Sequence, residues 1–198
     1  IWYTVTGAAV SVTLTATTAF ALSRRQFFLR RQLSFLMTLT MFVSGGLIPL
    51  YILIQKMHLY NNRWAIILPY IISAYNLIIT RSFFESLPEE MAESAKMDGA
   101  GEWKIFSRII VPLSKPVLAS VTLFYAVGIW NSYLGPLLYL DEKKLYPLQL
   151  ILRNIVISNE MSTMSGDIAS MNISTMNIKY AVIFISILPI LCIYPFIQ

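Results

Sequence analysis

One short stretch of the chain combines charged and small residues between strongly apolar runs, and its chemistry suits contact with another protein. The residues that stand out in it are Glu93, Ser94, Ala95, Asp98, Gly99, Ile109 and Pro112. Alanine or serine at positions 92, 94 and 95 would keep a helix thin, so that a second surface could approach closely. The polar hairpin over residues 83–115 therefore indicates a contact site for a soluble partner protein.

Local signals predict where the two helices of this hairpin begin and end. Ser86 and Glu89 fit a capping box, so the first helix is expected to begin there. Gly99 is expected to end it, because glycine adopts the left-handed conformation at little steric cost. Val111 is expected to end the second helix, because a residue before proline disfavours helical angles.

The chain carries no motif for catalysis, nucleotide binding or metal binding. It lacks the G-x-x-x-x-G-K-[ST] loop and the H-E-x-x-H pattern, and its single histidine, His58, has no neighbouring Cys or His. The first four long apolar runs contain no Asp, Glu, Lys, Arg or His, which argues against coupling to an ion gradient. We therefore expect no catalytic residue and no metal site, and any energy for work would come from a partner.

The composition predicts an integral membrane protein. Hydrophobic residues make up 57% of the 198 positions and charged residues only 13%, whereas soluble domains carry about 25% charged residues. The net charge of +5 comes from basic residues at the ends of apolar runs, as in membrane proteins and unlike nucleic-acid binders. The single cysteine excludes an intrachain disulfide.

Five apolar runs predict membrane-spanning helices. They cover residues 1–23, 32–55, 64–80 and 116–140, and a fifth begins near residue 180. Helices are expected because the runs do not alternate as barrel strands do. The predicted fold class is an all-α integral membrane protein, a polytopic helical bundle with one domain over residues 1–198. Local kinks or ends are expected at positions 45–46, 49, 69, 136, 189 and 195, which are glycines or prolines.

The distribution of basic residues predicts the orientation. One very short loop contains Arg24, Arg25, Arg30 and Arg31 and no acidic residue. Alternating spans place this loop on the same side as the hairpin, and positive loops face the cytoplasm. We therefore expect the hairpin at residues 83–115 to be cytoplasmic and the segment at residues 141–175 to be an external loop.

The spacing within the hairpin resembles a known family signature. Glu93-Ser94-Ala95, three residues, Gly99, nine residues and then Ile109 to Pro112 resemble the EAA loop of ABC-importer permeases. Ser94 and Val111 stand where that pattern has Ala and Leu. The carbohydrate branch of these permeases is resembled by residues 85–90, 112–116 and 124–131, and its complex-oligosaccharide subfamily by residues 45–50 and 145–150. The resemblance covers essentially the whole chain.

This resemblance implies the type I ABC importer permease fold, with five spans in this stretch and six in a full protein. It implies a transport subunit that is not an enzyme and binds no cofactor itself, because ATP and Mg belong to partner subunits. The implied partners are a second permease in a heterodimer, two cytoplasmic ATPases, an extracytoplasmic sugar-binding protein and an oligosaccharide, but no nucleic acid. The implied location is the lipid bilayer of the bacterial plasma (inner) membrane, crossed several times.

A sugar path would need polar and aromatic side chains within the spans, because sugars present apolar ring faces and hydroxyl rims. The candidates in the third and fourth runs are Ser73, Tyr75, Asn76, Tyr125, Trp130, Asn131, Ser132 and Tyr133. Another interpretation stays open for each of them, because Trp and Tyr also mark membrane interfaces and Ser and Asn also bond neighbouring helices.

Two other functional classes are weighed against transport. A membrane-embedded enzyme acting on lipid-linked glycans would need a carboxylate or metal cluster at a membrane face. The external acidic pair Asp141-Glu142 has no histidine companion. The third class is a non-transporting scaffold or receptor. Co-purification of an ATPase would separate transport from both alternatives.

Overall fold

The computed structural model describes residues 1–24, 26–164 and 171–197. Within these ranges all regular secondary structure is helical, which confirms the all-α fold class. The α-helices are α1 (Trp2–Ser23), α2 (Arg30–Phe42), α3 (Leu47–Lys56), α4 (Trp64–Ile67), α5 (Ala74–Ser86), α6 (Glu89–Met97), α7 (Glu102–Ile105), α8 (Val111–Leu113), α9 (Lys115–Trp130), α10 (Leu134–Tyr139), α11 (Leu148–Met164) and α12 (Met171–Ile197). Short 3-10 turns cover Leu68–Tyr70 and Lys143–Leu145, and a π-helical turn covers Phe106–Ile110.

Helix α1 lies at the centre of the bundle and packs against both α5 and α9. Its buried side includes Ala8, Ser11, Thr15, Ala16 and Ala19. Small side chains of this kind let membrane helices approach closely, because packing between helices replaces the hydrophobic effect inside a bilayer. The small residues of α1 therefore bring the flanking helices α5 and α9 together around it.

The predicted spans are less continuous than the apolar runs. Among the described residues, α1 alone is long and apolar enough to cross a membrane as one straight helix. Two bent pairs reach the same length and apolarity: Trp64–Tyr70 with Ala74–Ser86, bent by 52°, and Glu102–Leu113 with Lys115–Trp130, bent by 82°. Within the described residues, up to three segments are therefore long and apolar enough to cross a membrane, whereas the sequence predicts five spans.

Glycine and proline account for several of the interruptions. The second run divides into α2 and α3 at Gly45-Gly46, where Gly46 has a φ of +84° that favours glycine. Pro69 lies in the 3-10 turn between α4 and α5. Pro49 and Pro136 instead lie in the first turn of α3 and α10, where a missing amide hydrogen costs little.

Two local predictions were wrong. Ser86 belongs to the end of α5 and donates its hydroxyl to the Phe83 carbonyl, so it forms no capping box with Glu89. The second hairpin helix continues through Pro112 as far as Leu113, because the preceding π-helical turn accommodates the proline. Within the predicted external segment at residues 141–175, helix α11 covers Leu148–Met164.

Candidate functional site

The hairpin forms as one helix, a tight turn and a second, irregular helix. Helix α6 ends at Met97, and Gly99 follows with a φ of +77°, so the predicted left-handed stop is confirmed. The Gly99 amide donates to the Lys96 carbonyl at 3.0 Å, and the Ala100 amide donates to the Ala95 carbonyl at 2.9 Å. These bonds satisfy carbonyls at the end of α6 that have no partner within the helix.

One side of the hairpin is anchored in the bundle and the other is exposed. Ala92 and Ile105 are buried in the cluster that also contains Leu22 and Phe84. The predicted coupling residues divide accordingly: Ala95 and Ile109 are half-buried, and Glu93, Ser94, Asp98, Gly99 and Pro112 are exposed. The exposed side therefore presents most of the predicted residues for contact with a partner.

Two large apolar side chains on this exposed side escaped the sequence analysis. Met97 is 89% exposed and Trp103 is 70% exposed. An apolar side chain at such exposure marks a contact surface when it lies among polar neighbours. Their position around Gly99, opposite the buried Ala92 and Ile105, is the signal that could have identified them.

Ion pairs connect the arginine loop to the hairpin and its base. The Arg30 guanidinium lies 2.7 Å from Glu85 Oε1, and Arg81 Nε lies 2.9 Å from the same oxygen. Arg24 Nε lies 3.9 Å from Glu102 Oε2, and Lys96 pairs with the other oxygen of Glu102. The arginine loop and the hairpin therefore lie at the same end of the bundle, as the sequence predicts.

A cavity of about 470 Å³ opens between α1, the α4–α5 segment and α9. The structure brings five of the eight predicted path residues together in its wall: Ser73, Tyr75, Asn76, Tyr125 and Ser132. The remaining lining residues were not predicted: Ser11, Ile66, Ile67, Tyr70, Phe124, Gly128 and Ile129. Ser11 and Thr15 are four positions apart and therefore lie on one face of α1, and this spacing is a signal that could have pointed to α1.

The Tyr125 hydroxyl holds the three walls of this cavity together. It lies 2.7 Å from Thr15 Oγ1 on α1, and it accepts a hydrogen bond of 2.9 Å from the Ser73 amide at the start of α5. The Ser73 hydroxyl in turn accepts a hydrogen bond from the backbone amide of Asn76. Tyr125 is 5% exposed, so these bonds form out of water and their loss would leave buried polar groups unpaired.

The other three predicted path residues lie elsewhere. Trp130 donates its indole hydrogen to the Ser186 carbonyl on α12 at 3.0 Å. Tyr133 is 42% exposed and lies beneath the Arg153 guanidinium, 4.7 Å from the ring centroid. Asn131 is exposed at the end of α9 and does not line the cavity. Contacts between helices and positions at the surface are the alternative roles that the sequence analysis left open for these three residues.

The cavity wall offers groups for hydrogen bonding and aromatic rings for stacking. Its polar groups are serine and tyrosine hydroxyls and the Asn76 amide, and it contains no Asp, Glu, Lys, Arg or His. No group of three or more His, Cys, Asp or Glu side chains that could hold a metal ion occurs among the described residues. The arrangement suits reversible binding of an uncharged, hydroxyl-rich surface.

Comparisons with known proteins agree with this geometry. A family model described as "Binding-protein-dependent transport system inner membrane component" matches residues 10–198. The chain is 43% identical over 202 residues to the polygalacturonan/rhamnogalacturonan transport system permease protein YtcP of Bacillus subtilis (strain 168), and the match covers 100% of the chain and 70% of that protein. It is 44% identical over 199 residues to Protein LplC of the same organism, covering 100% and 68%.

A solved structure is similar over the whole chain. The crystal structure of a bacterial ABC transporter involved in the import of the acidic polysaccharide alginate matches with a TM-score of 0.88 and 31% identity. The match covers 100% of this chain and 71% of that one. The resemblance to ABC-importer permeases and the type I permease fold are therefore confirmed.

The family settles the broad class of the protein. Members of the family are integral to the membrane, and YtcP is named as a permease of a transport system. The chain is accordingly a transport subunit and not an enzyme, and nothing supports the alternative of a glycan-processing enzyme. The chain belongs to the family of binding-protein-dependent transport system inner membrane components, the permease subunits of ABC importers.

Proposed function

We propose that this subunit forms one wall of the path by which an ATP-driven importer takes up an oligosaccharide. The observation that carries the proposal is the cavity of about 470 Å³ lined by hydroxyls, one amide and aromatic rings. Its size falls within the range of about 300–1,000 Å³ that ligand pockets occupy. The names of YtcP and of the alginate importer, which refer to polysaccharides, support a substrate of this class.

The chemistry of the wall indicates which part of a sugar it would contact. Tyr70, Tyr75 and Phe124 line the cavity and are each about half exposed, so their rings are available to stack on apolar sugar faces. Ser73, Asn76 and Ser132 supply groups that can bond sugar hydroxyls. A carboxylate buried here without a cation would be costly, so any acidic group of the substrate would face the second permease.

The hairpin at residues 83–115 is proposed to receive the movement of a cytoplasmic ATPase. Its exposed side carries the predicted coupling residues together with Met97 and Trp103, which add apolar contact area. Its buried side, at Ala92 and Ile105, packs in the bundle core. A partner that shifts the hairpin would therefore shift the bundle, as alternating access requires.

The remaining partners are proposed, and membership of a binding-protein-dependent import system supports them. They are a second permease in a heterodimer, two ATPases that bind ATP and Mg, and an external sugar-binding protein. The segment at residues 141–175 is proposed to face that binding protein on the outside. Residues 165–170 of this segment lie outside the described residues.

The location proposed is the bacterial plasma (inner) membrane, with several crossings and the hairpin in the cytoplasm. Single cysteines at Ser94 and Lys144, both exposed, test the orientation in a background lacking Cys192. An impermeant thiol reagent on intact cells, with the wall removed where necessary, is expected to label Lys144→Cys only. Labelling of Ser94→Cys alone would reverse the orientation.

The transport function is tested in proteoliposomes that contain both permeases, the ATPases and loaded binding protein. We expect ATPase activity to rise with particular oligosaccharides of a panel, and the same sugars to be imported. Asn76→Ala removes an amide from the cavity wall and should weaken this response. Asn131→Ala is the matched control, because Asn131 lies outside the cavity. Absence of any sugar response in the parent complex, or equal responses of the two variants, would contradict the assignment.

A further inference from the structure

One arginine at the end of α1 contacts the hairpin without using its full capacity for hydrogen bonds. The Arg24 guanidinium lies over the Phe20 ring, 4.6 Å from its centroid. Arg24 Nε is 3.9 Å from Glu102 Oε2, which is close enough for an ion pair and too long for a hydrogen bond. Its Nε and Nη2 atoms are buried, and neither has a hydrogen-bond partner among the described residues.

The surroundings of Arg24 contain further carboxylates, and Glu89 is the one that lines both hollows beside it. Two adjoining hollows of about 180 and 540 Å³ are each lined by Arg24, Glu89 and Ala92; Glu85 also lines the smaller, and Glu93 and Glu102 line the larger. Glu89 begins α6, the first half of the hairpin, whereas Glu102 begins α7 in the second half. Arg24 therefore lies between carboxylates from the two halves of the hairpin.

The unpaired, buried donors of Arg24 favour a second position of the Arg24 side chain, in which they would find an acceptor. A buried donor without an acceptor costs free energy, and charged donors cost more than neutral ones. A small shift of the hairpin that brings Glu89 to the guanidinium would supply the missing acceptor. Ion pairs with an exposed partner add little to stability, and the Glu102 side chain is 53% exposed, so the present pair can break without unfolding the bundle.

Helix α1 connects this arginine to the cavity. The Phe20 ring contacts the Phe106 ring of the hairpin, with 5.0 Å between the centroids. Further along the same helix, Thr15 bonds the Tyr125 hydroxyl and Ser11 lines the cavity. A displacement at the end of α1 would therefore reach the cavity wall through one continuous helix.

We propose that Arg24 is a positioning residue that exchanges its carboxylate partner, from Glu102 to Glu89, when the hairpin moves, and that this exchange ties α1 to the hairpin. The inference rests on the proposed transport function. The pair with Glu102 is one state, and a direct hydrogen bond to Glu89 is the other. Each state holds the end of α1 at a different position relative to α6 and α7.

The test measures sugar imported per ATP hydrolysed by the assembled complex in proteoliposomes. Arg24→Gln, Glu89→Gln and Glu102→Gln are each expected to lower this ratio by about fivefold, the lower end of measured coupling between sites, with stimulated ATPase activity retained. Arg24→Lys keeps the cation and should retain most of the ratio. Glu90→Gln is the matched control, because Glu90 lies in the same turn as Glu89 and lines neither hollow.

The outcomes separate this inference from the proposed function. A parent complex that imports no sugar would overturn the function itself. Import by the parent with an unchanged ratio in Arg24→Gln would overturn only the exchange, as would equal losses in Glu89→Gln and Glu90→Gln. If Arg24→Gln does not assemble, Arg24→Lys and the Glu89→Gln and Glu90→Gln pair decide the same question, because a purely structural role of Arg24 predicts unchanged ratios in all three.

Discussion

The hairpin and the cavity differ in how far apart in the sequence their parts lie. The hairpin is one continuous stretch, and its turn depends on the conformation of a single residue, Gly99. The cavity has walls from three parts of the chain. The Tyr125 hydroxyl, which connects them, forms a hydrogen bond with Thr15, 110 positions away in the sequence. The hairpin can therefore be disrupted by changing backbone conformation alone, whereas the cavity is sensitive to lost contacts between helices.

Two glycines show this difference most directly. Gly99 has a positive φ, and a Cβ atom placed there would have no neighbour within 4 Å. A Cβ atom on Gly7 would lie 2.7 Å from Ile129 Cδ1 on α9, although the backbone of Gly7 is ordinary helix. Glycine suits the first position through its conformation and the second through its small size.

The largest effect is expected from Gly99→Val. Valine should impose roughly 1–2 kcal/mol of left-handed strain, so the turn would rearrange and the hairpin would lose its shape. We predict loss of sugar uptake with normal amounts of the protein in the membrane, measured by transport assays and immunoblots. Gly99→Asn is the control, because asparagine tolerates this conformation, and it should retain much of the uptake. Normal uptake by Gly99→Val would show that the turn does not need glycine.

The next largest effect is expected from Tyr125→Phe. This change removes the acceptor of the Ser73 amide and the partner of the Thr15 hydroxyl, both inside the bundle. Leaving buried polar groups unpaired should cost about 1–3 kcal/mol. Thermal unfolding of the solubilised complex measures this loss. Tyr75→Phe is the control, because Tyr75 also lines the cavity but its hydroxyl forms no hydrogen bond within the described part of the chain. Similar losses of thermal stability in Tyr125→Phe and Tyr75→Phe would show that the Tyr125 hydroxyl does not hold the cavity walls together.

The same contrast explains what the sequence could predict. The hairpin, its end at Gly99 and its position beside the arginine loop followed from local signals and from the distribution of charges, and the structure agrees with all three. The helical fold class followed from apolar runs. Each of these features depends on residues that are close in sequence or on the simple alternation of membrane spans.

Features that depend on tertiary packing could not be predicted from residue type and spacing. Trp130 and Tyr133 have the residue types of a sugar site, and the structure places them outside the cavity wall, against α12 and Arg153. Ser86 matched a capping box, but it forms the last residue of α5. The next helix, α6, begins only after Pro88. Residue type and spacing could not decide the positions of Trp130 and Tyr133, since their partners, Ser186 and Arg153, lie on other helices.

A smaller effect is expected from Gly7→Ala, which tests close packing in the bundle. The new Cβ would crowd Ile129 Cδ1 at 2.7 Å, but this atom ends a flexible side chain and can move. Because alanine also favours helix by about 1 kcal/mol over glycine, the net loss of stability should be about 1 kcal/mol or less. In an Ile129→Val background, which lacks that Cδ1 atom, the loss should disappear. A penalty that persists in this background would place the crowding at another neighbour.

The smallest effect is expected away from both regions, at a tyrosine in the segment before α4. The exposed Tyr60 hydroxyl donates to Asp141 Oδ1 at 2.9 Å, and this bond to a carboxylate raises the pKa of Tyr60 from 10.0 to about 12. Because the bond requires the protonated phenol, its contribution to stability is complete below pH 10 and is lost as the pH rises through about 12. Uptake at ordinary pH should therefore be insensitive to this group.

The pKa of Tyr60 can be measured as the difference in tyrosinate absorbance between the parent and Tyr60→Phe across a pH titration. In Asp141→Asn the midpoint should fall back toward 10.0, because the neutral amide no longer disfavours the phenolate. Asn61 also bonds the backbone amides of Asp141 and Glu142 at 3.1 Å, so the segment should keep its fold in this variant. An equal midpoint in the parent and Asp141→Asn would mean that Tyr60 and Asp141 do not interact in solution. It would also leave Asn61 as the group that holds the two segments together.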